Sequence, residues 1–179
     1  LEQLVDESAE EGTVAGIQHE LIDNIFTFGE RSVDQLMTHR TRVVGLDITD
    51  SPEKVMTLLT DTGYSRFPVY RGDLDHVAGI LHVRDYIRAY AGGEVTALEP
   101  LLRPAPRVPE NLLAESLLAS FKRLQVHMAV VMNEYGGTAG IVTLEDLLEE
   151  VVGEVEDEYD TDETAAITEL EPGVLLLKG

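Results

Sequence analysis

The chain contains no cysteine and no tryptophan, and its 13 Lys and Arg face 34 Asp and Glu, a net charge of −21 over 179 residues. Without cysteine there can be no disulfide, thiolate metal ligand or cysteine nucleophile, a composition compatible with a reducing compartment. So few cations exclude a duplex nucleic-acid binder, which needs a basic face to displace the counterions of phosphate. Aromatic residues at 6% also argue against a platform for stacking bases. Apolar runs such as Ala129 to Met132 and Val174 to Leu177 fall far short of the ~20 residues that span a bilayer. No basic leader precedes an apolar stretch at the start. The sequence holds no glycine-rich phosphate loop, nucleophile elbow, paired catalytic carboxylates or histidines at metal-ligand spacing, so it reads as a non-enzyme. What remains, 44% apolar and 26% charged, is the composition of a globular protein of one domain or two small ones.

A repeat organises the middle of the chain. Residues 64–85 (YSRFPVYRGDLDHVAGILHVRD) lie over 125–146 (QVHMAVVMNEYGGTAGIVTLED) without a gap at an offset of 61. Val69/Val130, Ala78/Ala139, Gly79/Gly140, Ile80/Ile141 and Asp85/Asp146 coincide. Each copy predicts a β-hairpin followed by a helix, with Phe67–Tyr70 and Val77–Leu81 in the first and Met128–Met132 and Thr138–Val142 in the second. A helix precedes each hairpin. The first is opened by Ser51 and Pro52, carries Val55, Leu58 and Leu59 inward and closes at Gly63; the second spans about 111–124 with Leu113, Leu117, Leu118 and Phe121 in phase. Short strands are expected before these helices, at Arg42–Leu46 and near Arg107–Val108, preceded by turns ending in Leu36-Met37 and Leu101-Leu102. The fold class is α/β, a duplicated β-α-β-β-α unit with the copies packed about a pseudo-two-fold axis.

The ends differ in character. Leu1, Leu4 and Val5, and then Leu21, Ile22, Ile25 and Phe26, recur at helical spacing on either side of Gly12, a lead-in arm. Residues 145–163 hold eleven acids and no Lys or Arg, which predicts a helix end running into a solvated linker (156–166), with a new segment from Ile167. The lack of an initiator Met and the strand-like Val174–Leu177 near the end read as a piece of a longer protein.

Chemistry concentrates at Thr143-Leu144-Glu145-Asp146, after the strand Gly140-Ile141-Val142. Thr at a helix start offers a hydroxyl and free N–H groups to a phosphate, and Asp three residues on can accept both hydroxyls of a ribose. The same four residues also fit a capping box. The first repeat has His82-Val83-Arg84-Asp85 there. Imidazole cannot sit in the same phosphate turn, so one competent site per chain is expected, with His82 structural rather than a metal ligand. Tyr64-Ser65-Arg66 precedes the first hairpin, and the Arg66 guanidinium suits phosphate oxygens; it is the one cation the sequence assigns to them. The acidic run from Glu145 to Glu163 is read as a solvated face rather than a Mg²⁺ site.

The duplicated unit over residues 32–155 resembles a CBS domain pair. More narrowly, SVDQLMTHRTRVVGLD, GYSRFPVY, GILHVRD, NEYGGTAGIVTLEDLLEEVVGE and EDEYD resemble the CBS pair of the CorC/CorB magnesium transport proteins, relatives of the cyclin M proteins. The resemblance implies repeats at 32–92 and 97–155, a transmembrane transport domain upstream joined through 1–31, and the start of a CorC/HlyC-type domain at 167–179. It implies a regulatory module on the cytoplasmic side of a membrane that binds ATP, with Mg²⁺ carried by the phosphates. Thr143 and Asp146 would then hold phosphate and ribose, Tyr64, Ser65 and Arg66 the opposite wall, and Thr38 the adenine. His39 stands where the family has Pro, which leaves the shape of the Thr38 loop open. The resemblance further implies a homodimer, with helix faces carrying Leu117, Phe121, Tyr86 and Leu147 expected at the contact. The alternative is a structural dimerisation module with a vestigial pocket.

Overall fold

The computed structural model describes residues 18, 19, 21–93 and 97–153, with the backbone of two further strands at Ile167–Glu171 and Val174–Leu177. The Leu1, Leu4, Val5 stretch and the acidic linker lie outside the described residues.

Helix α1 (21–30) leads to a single turn, α2 (Val33–Leu36), and a two-residue strand, β1 (Thr38–His39). A 3-10 turn at Arg40–Arg42 precedes β2 (Leu46–Asp47), so Arg42 does not begin a strand as the sequence suggests. Its cap is His39, whose ring accepts from the Thr41 amide and whose φ of −59° is one that proline also adopts. Histidine here thus stands in a backbone conformation open to proline as well.

The first repeat continues through α3 (Pro52–Thr62), β3 (Arg66–Arg71), β4 (Asp73–His82) and α4 (Val83–Ala91). Ser51 caps α3 by accepting from the Lys54 amide at 3.4 Å, and Gly63 ends it at φ 66°, a left-handed turn that glycine adopts without strain. The second repeat comprises a 3-10 turn at Glu99–Leu101, β5 (Leu102–Arg103), β6 (Arg107–Pro109), α5 (Ala114–Leu124), β7 (Met128–Met132), β8 (Thr138–Thr143) and α6 (Leu144–Val152). Helix α5 begins at Ala114 rather than near 111, with Leu113 as its partly exposed N-cap. Strands β9 (Ile167–Glu171) and β10 (Val174–Leu177) form an antiparallel hairpin.

The repeats exchange their lead strands. One sheet runs β1-β8-β7-β6 and the other β2-β3-β4-β5, so β1 completes the second repeat's sheet and β5 completes the first's. Thr38 lies opposite Ile141, and Arg103 opposite Ile80. This exchange explains the repeated glycine. A Cβ on Gly79 would meet the Arg103 carbonyl at 2.7 Å, and one on Gly140 would collide with the Thr38 carbonyl. Ile80, Met128 and Ile141 then form a small core between the sheets, with the equivalent isoleucines meeting there.

Each repeat also has its own core. Leu46, Val55, Leu59, Phe67, Val69, Leu81, Tyr86 and Leu98 fill the first; Leu117, Phe121, Val131, Val142 and Leu147 fill the second, joined by Phe28 from α1. Here one expectation fails. Tyr86, Leu117 and Leu147 are 0% exposed and Phe121 2%, so none of the four is free to meet a partner chain. Sealing such side chains inside one repeat contributes about 1.5–3 kcal/mol each, which turns these helix faces inward first. The exposed apolar residues of α4 and α6 are instead Ile87 and Tyr90, and Leu148 and Val152. On α1, Phe28 is buried while the Ile22, Ile25, Phe26 stripe faces outward.

Candidate functional site

Strand exchange brings parts of both repeats around one cleft of 430 Å³. The turn after Gly63 delivers Tyr64, Ser65 and Arg66 to one wall, and the end of β8 with the first turn of α6 delivers Thr143, Glu145 and Asp146 to the other. Thr38 enters from β1, and Val44, Met128 and Ile141 supply an apolar floor. All six side chains singled out in the sequence line this cleft.

Thr143 and Asp146 hold each other. The Thr143 amide donates to Asp146 Oδ2 at 2.7 Å, and the Asp146 amide donates to the Thr143 hydroxyl at 3.2 Å, a complete capping box. The two readings of this motif are therefore compatible: Asp146 spends one carboxylate oxygen on the cap and has no hydrogen bond to Oδ1 among the described residues. A carboxylate oxygen with open lone pairs, at a cleft wall, can accept from a vicinal diol.

Arg66 crosses the cleft. Its Nη1 donates to Glu145 Oε1 at 3.0 Å and its Nη2 lies 3.3 Å from His127 Nδ1. An anion entering the cleft must compete with Glu145 for this guanidinium. Arg66 is not the only cation present, since Arg42 also lines the cleft. Sequence reasoning missed it by placing Arg42 in a strand, whereas the His39-capped turn sets it, still exposed, at the cleft's border. Two arginines thus face two carboxylates, a locally neutral site in a strongly acidic chain. Tyr64 stands at the mouth, its ring tilted 53° to Phe67 at 6.0 Å.

A second cleft, of 580 Å³, sits in the position related by the repeat. There Arg103 takes the place of Thr38, His82 that of Thr143 and His127 that of Arg66. Asp85, the counterpart of Asp146, is held by Arg103 at 2.6 Å, which with nearby charge lowers its pKa. His82 gives α4 no side-chain cap. Burial above all, then the charges of Arg103 and Arg66, push the His82 imidazole below its ordinary pKa. No group of three or more His, Cys, Asp or Glu suited to a metal ion occurs among the described residues.

Two β-α-β-β-α units with exchanged lead strands and paired clefts on the pseudo-two-fold define a tandem CBS module. The family model described as "CBS domain" matches residues 33–92 and 98–153. The chain belongs to the CBS domain family, in the branch found in CNNM/CorC Mg²⁺ transporters. It is 37% identical over 167 residues to UPF0053 protein YugS of Bacillus subtilis, covering 93% of this chain and 39% of that protein. Against the magnesium and cobalt efflux protein CorC of Vibrio cholerae the figures are 37% over 153 residues, 84% and 52%. A solved CBS domain of a bacterial CNNM/CorC family Mg²⁺ transporter in complex with ATP matches with TM-score 0.72 and 38% identity, covering 77% of this chain and 99% of that one. The chain thus spans about half the length, or less, of these curated relatives. No helix among the described residues is long and apolar enough to cross a membrane.

Proposed function

We propose that the chain is the cytoplasmic regulatory module of a membrane-embedded magnesium transporter, binding one ATP, with Mg²⁺ on its phosphates, in the 430 Å³ cleft. The observation that carries this reading is the convergence of Thr38, Tyr64, Ser65, Arg66, Thr143 and Asp146, drawn from both repeats, on that single cleft. Its volume lies in the range of small-molecule sites, about 300–1,000 Å³. Asp146 Oδ1 takes the ribose hydroxyls, the Thr143 hydroxyl and the α6 amino end face the first phosphate, and Arg66 with Arg42 faces the rest. Thr38 lies beside the base over the floor of Val44, Met128 and Ile141. The ATP complex of the similar CNNM/CorC domain supports the ligand class.

Two chains pair in this reading through the exposed apolar residues of α4 and α6, Ile87, Tyr90, Leu148 and Val152. Ligand occupancy controls a transport domain only if the nucleotide binds one arrangement of the repeats better than another, and a ligand seated between repeats meets that condition. The complete Thr143–Asp146 cap favours a second reading, a structural dimerisation module whose helix start serves only folding. Calorimetric titration separates the two. In the regulatory reading ATP binds the wild type, and Asp146→Ala weakens it about ten- to a hundredfold, the loss of a charged hydrogen bond of roughly 1.5–3 kcal/mol. No binding, or affinity unchanged in the variant, favours the structural module.

A further inference from the structure

A broader 700 Å³ cleft continues past the second repeat-related position and has a composition opposite to that of the chain. Arg66, Arg84, Arg103, His82 and His127 line it, and no Asp or Glu does. The whole sequence has 34 acids to 13 Lys and Arg, so three arginines and two histidines on one acid-free wall run against the mean field. Two of the arginines reach carboxylates at the edges, Arg66 with Glu145 and Arg103 with Asp85. Arg84 is exposed and has no ion pair among the described residues.

The backbone is also unusual there. Gln125, which lines this cleft, ends α5 at φ 52° and is the one non-glycine residue with positive φ among those described. The corresponding end of α3 uses Gly63. Holding a side chain in the left-handed region costs of order 1–3 kcal/mol and tends to mark functional positions. The turn it forms sets His127 opposite Arg66.

The same residues that make the cleft basic unsuit it to a nucleoside. Arg103 replaces the threonine beside the base position and occupies Asp85, and His82 replaces the phosphate-turn threonine. We propose that this cleft is a second site, for a small multiply charged oxyanion of the inorganic phosphate or pyrophosphate class, bound by Arg84, Arg103 and Arg66 without any nucleoside. The inference stands on this cleft's own charges and does not need ATP in the other.

The shared chemistry is polyphosphate, and its source is a free anion or the tail of a nucleotide seated next door. The test titrates inorganic pyrophosphate, without nucleotide, into the full chain by calorimetry, and follows its five histidine imidazoles by NMR. The expected result is saturable binding of one anion per chain that weakens with salt, moving the His82 and His127 resonances and leaving His19, His39 and His76 in place. Arg84→Ala, an exposed substitution that leaves folding alone, lowers affinity about tenfold, while the same charge loss at Arg88 on α4 has a far smaller effect. Arg103→Ala lowers it further because it releases Asp85. Absence of binding at millimolar pyrophosphate overturns the proposal. So does a loss on Arg42→Ala without one on Arg84→Ala, which puts the anion in the first cleft. Imidazole shifts with ATP but none with pyrophosphate assign the cleft to a nucleotide tail and likewise overturn it.

Discussion

Glu145→Gln offers a sharp perturbation because binding and stability should move in opposite directions. In the free chain Arg66 Nη1 is 3.0 Å from Glu145 Oε1, with the Arg66 side chain 22% exposed and Glu145 60%. A pair this open to water contributes about 0.2–1 kcal/mol, so releasing Arg66 from it in advance tightens ATP about 1.4- to 5-fold. Removing a negative charge beside the phosphates adds to this, within a Debye length of about 8 Å at physiological salt. Together these give roughly a two- to tenfold gain in EDTA. Mg²⁺ on the phosphates lowers the ligand's charge, so the gain shrinks toward the roughly 1.4- to 5-fold of the released ion pair alone when magnesium is present. Glu145 also lies in the first turn of α6, where an acid favours the helix by about 0.3–1 kcal/mol, so the variant melts slightly lower. The assay is calorimetry with ATP in Mg²⁺ and in EDTA at matched ionic strength, beside a thermal melt. Weaker or unchanged binding in EDTA refutes the argument, since Arg66 would then not be handed from Glu145 to a phosphate.

Other outcomes follow from the same geometry. Gly140→Ala sets a methyl against the Thr38 carbonyl and costs about 1–3 kcal/mol of stability, lowering both the melting point and ATP affinity as β1 is displaced. Ile87→Asp combined with Leu148→Asp turns a dimer into a monomer by light scattering; a monomeric wild type contradicts the pairing through α4 and α6. His82 titrates below the ordinary imidazole value of 6.5 because of burial, then Arg103 and Arg66, with Arg84 adding and Asp85 opposing. The unfolded chain therefore binds the proton more readily than the folded one, and stability falls as pH drops below about 6.5. His82→Gln should flatten melts in that window, while lowered carboxylates such as Asp75 and Asp85 act only below their ordinary 3.8. An unchanged pH profile in the variant contradicts the assignment.

Much of the architecture was legible because the chain states it twice. An ungapped offset of 61 aligned hairpins, helices and the helix-start Asp of both copies. The reason for Gly79 and Gly140 was not legible, since it lies in the carbonyl of a strand donated by the other repeat. Arg42 was lost because three residues of 3-10 turn carry no periodicity to detect. The four residues expected at a partner contact were misread for a related reason. Spacing reveals that α4 and α6 are apolar on one side, but not whether Tyr86 and Leu147 meet their own sheet or another chain. Chemistry by residue type travelled better: the cap and the open Asp146 oxygen occupy the same four residues, and only the geometry shows that both fit.

The most direct measurement is the electron density of crystals of this chain grown with ATP and Mg²⁺. The expected density is one nucleotide per chain, its ribose on Asp146, its base beside Thr38 and its phosphates against Arg66, with Arg66 parted from Glu145. A nucleoside seated against Arg103 and His82, two nucleotides per chain, or an unaltered Arg66–Glu145 pair beneath a bound ATP would contradict it.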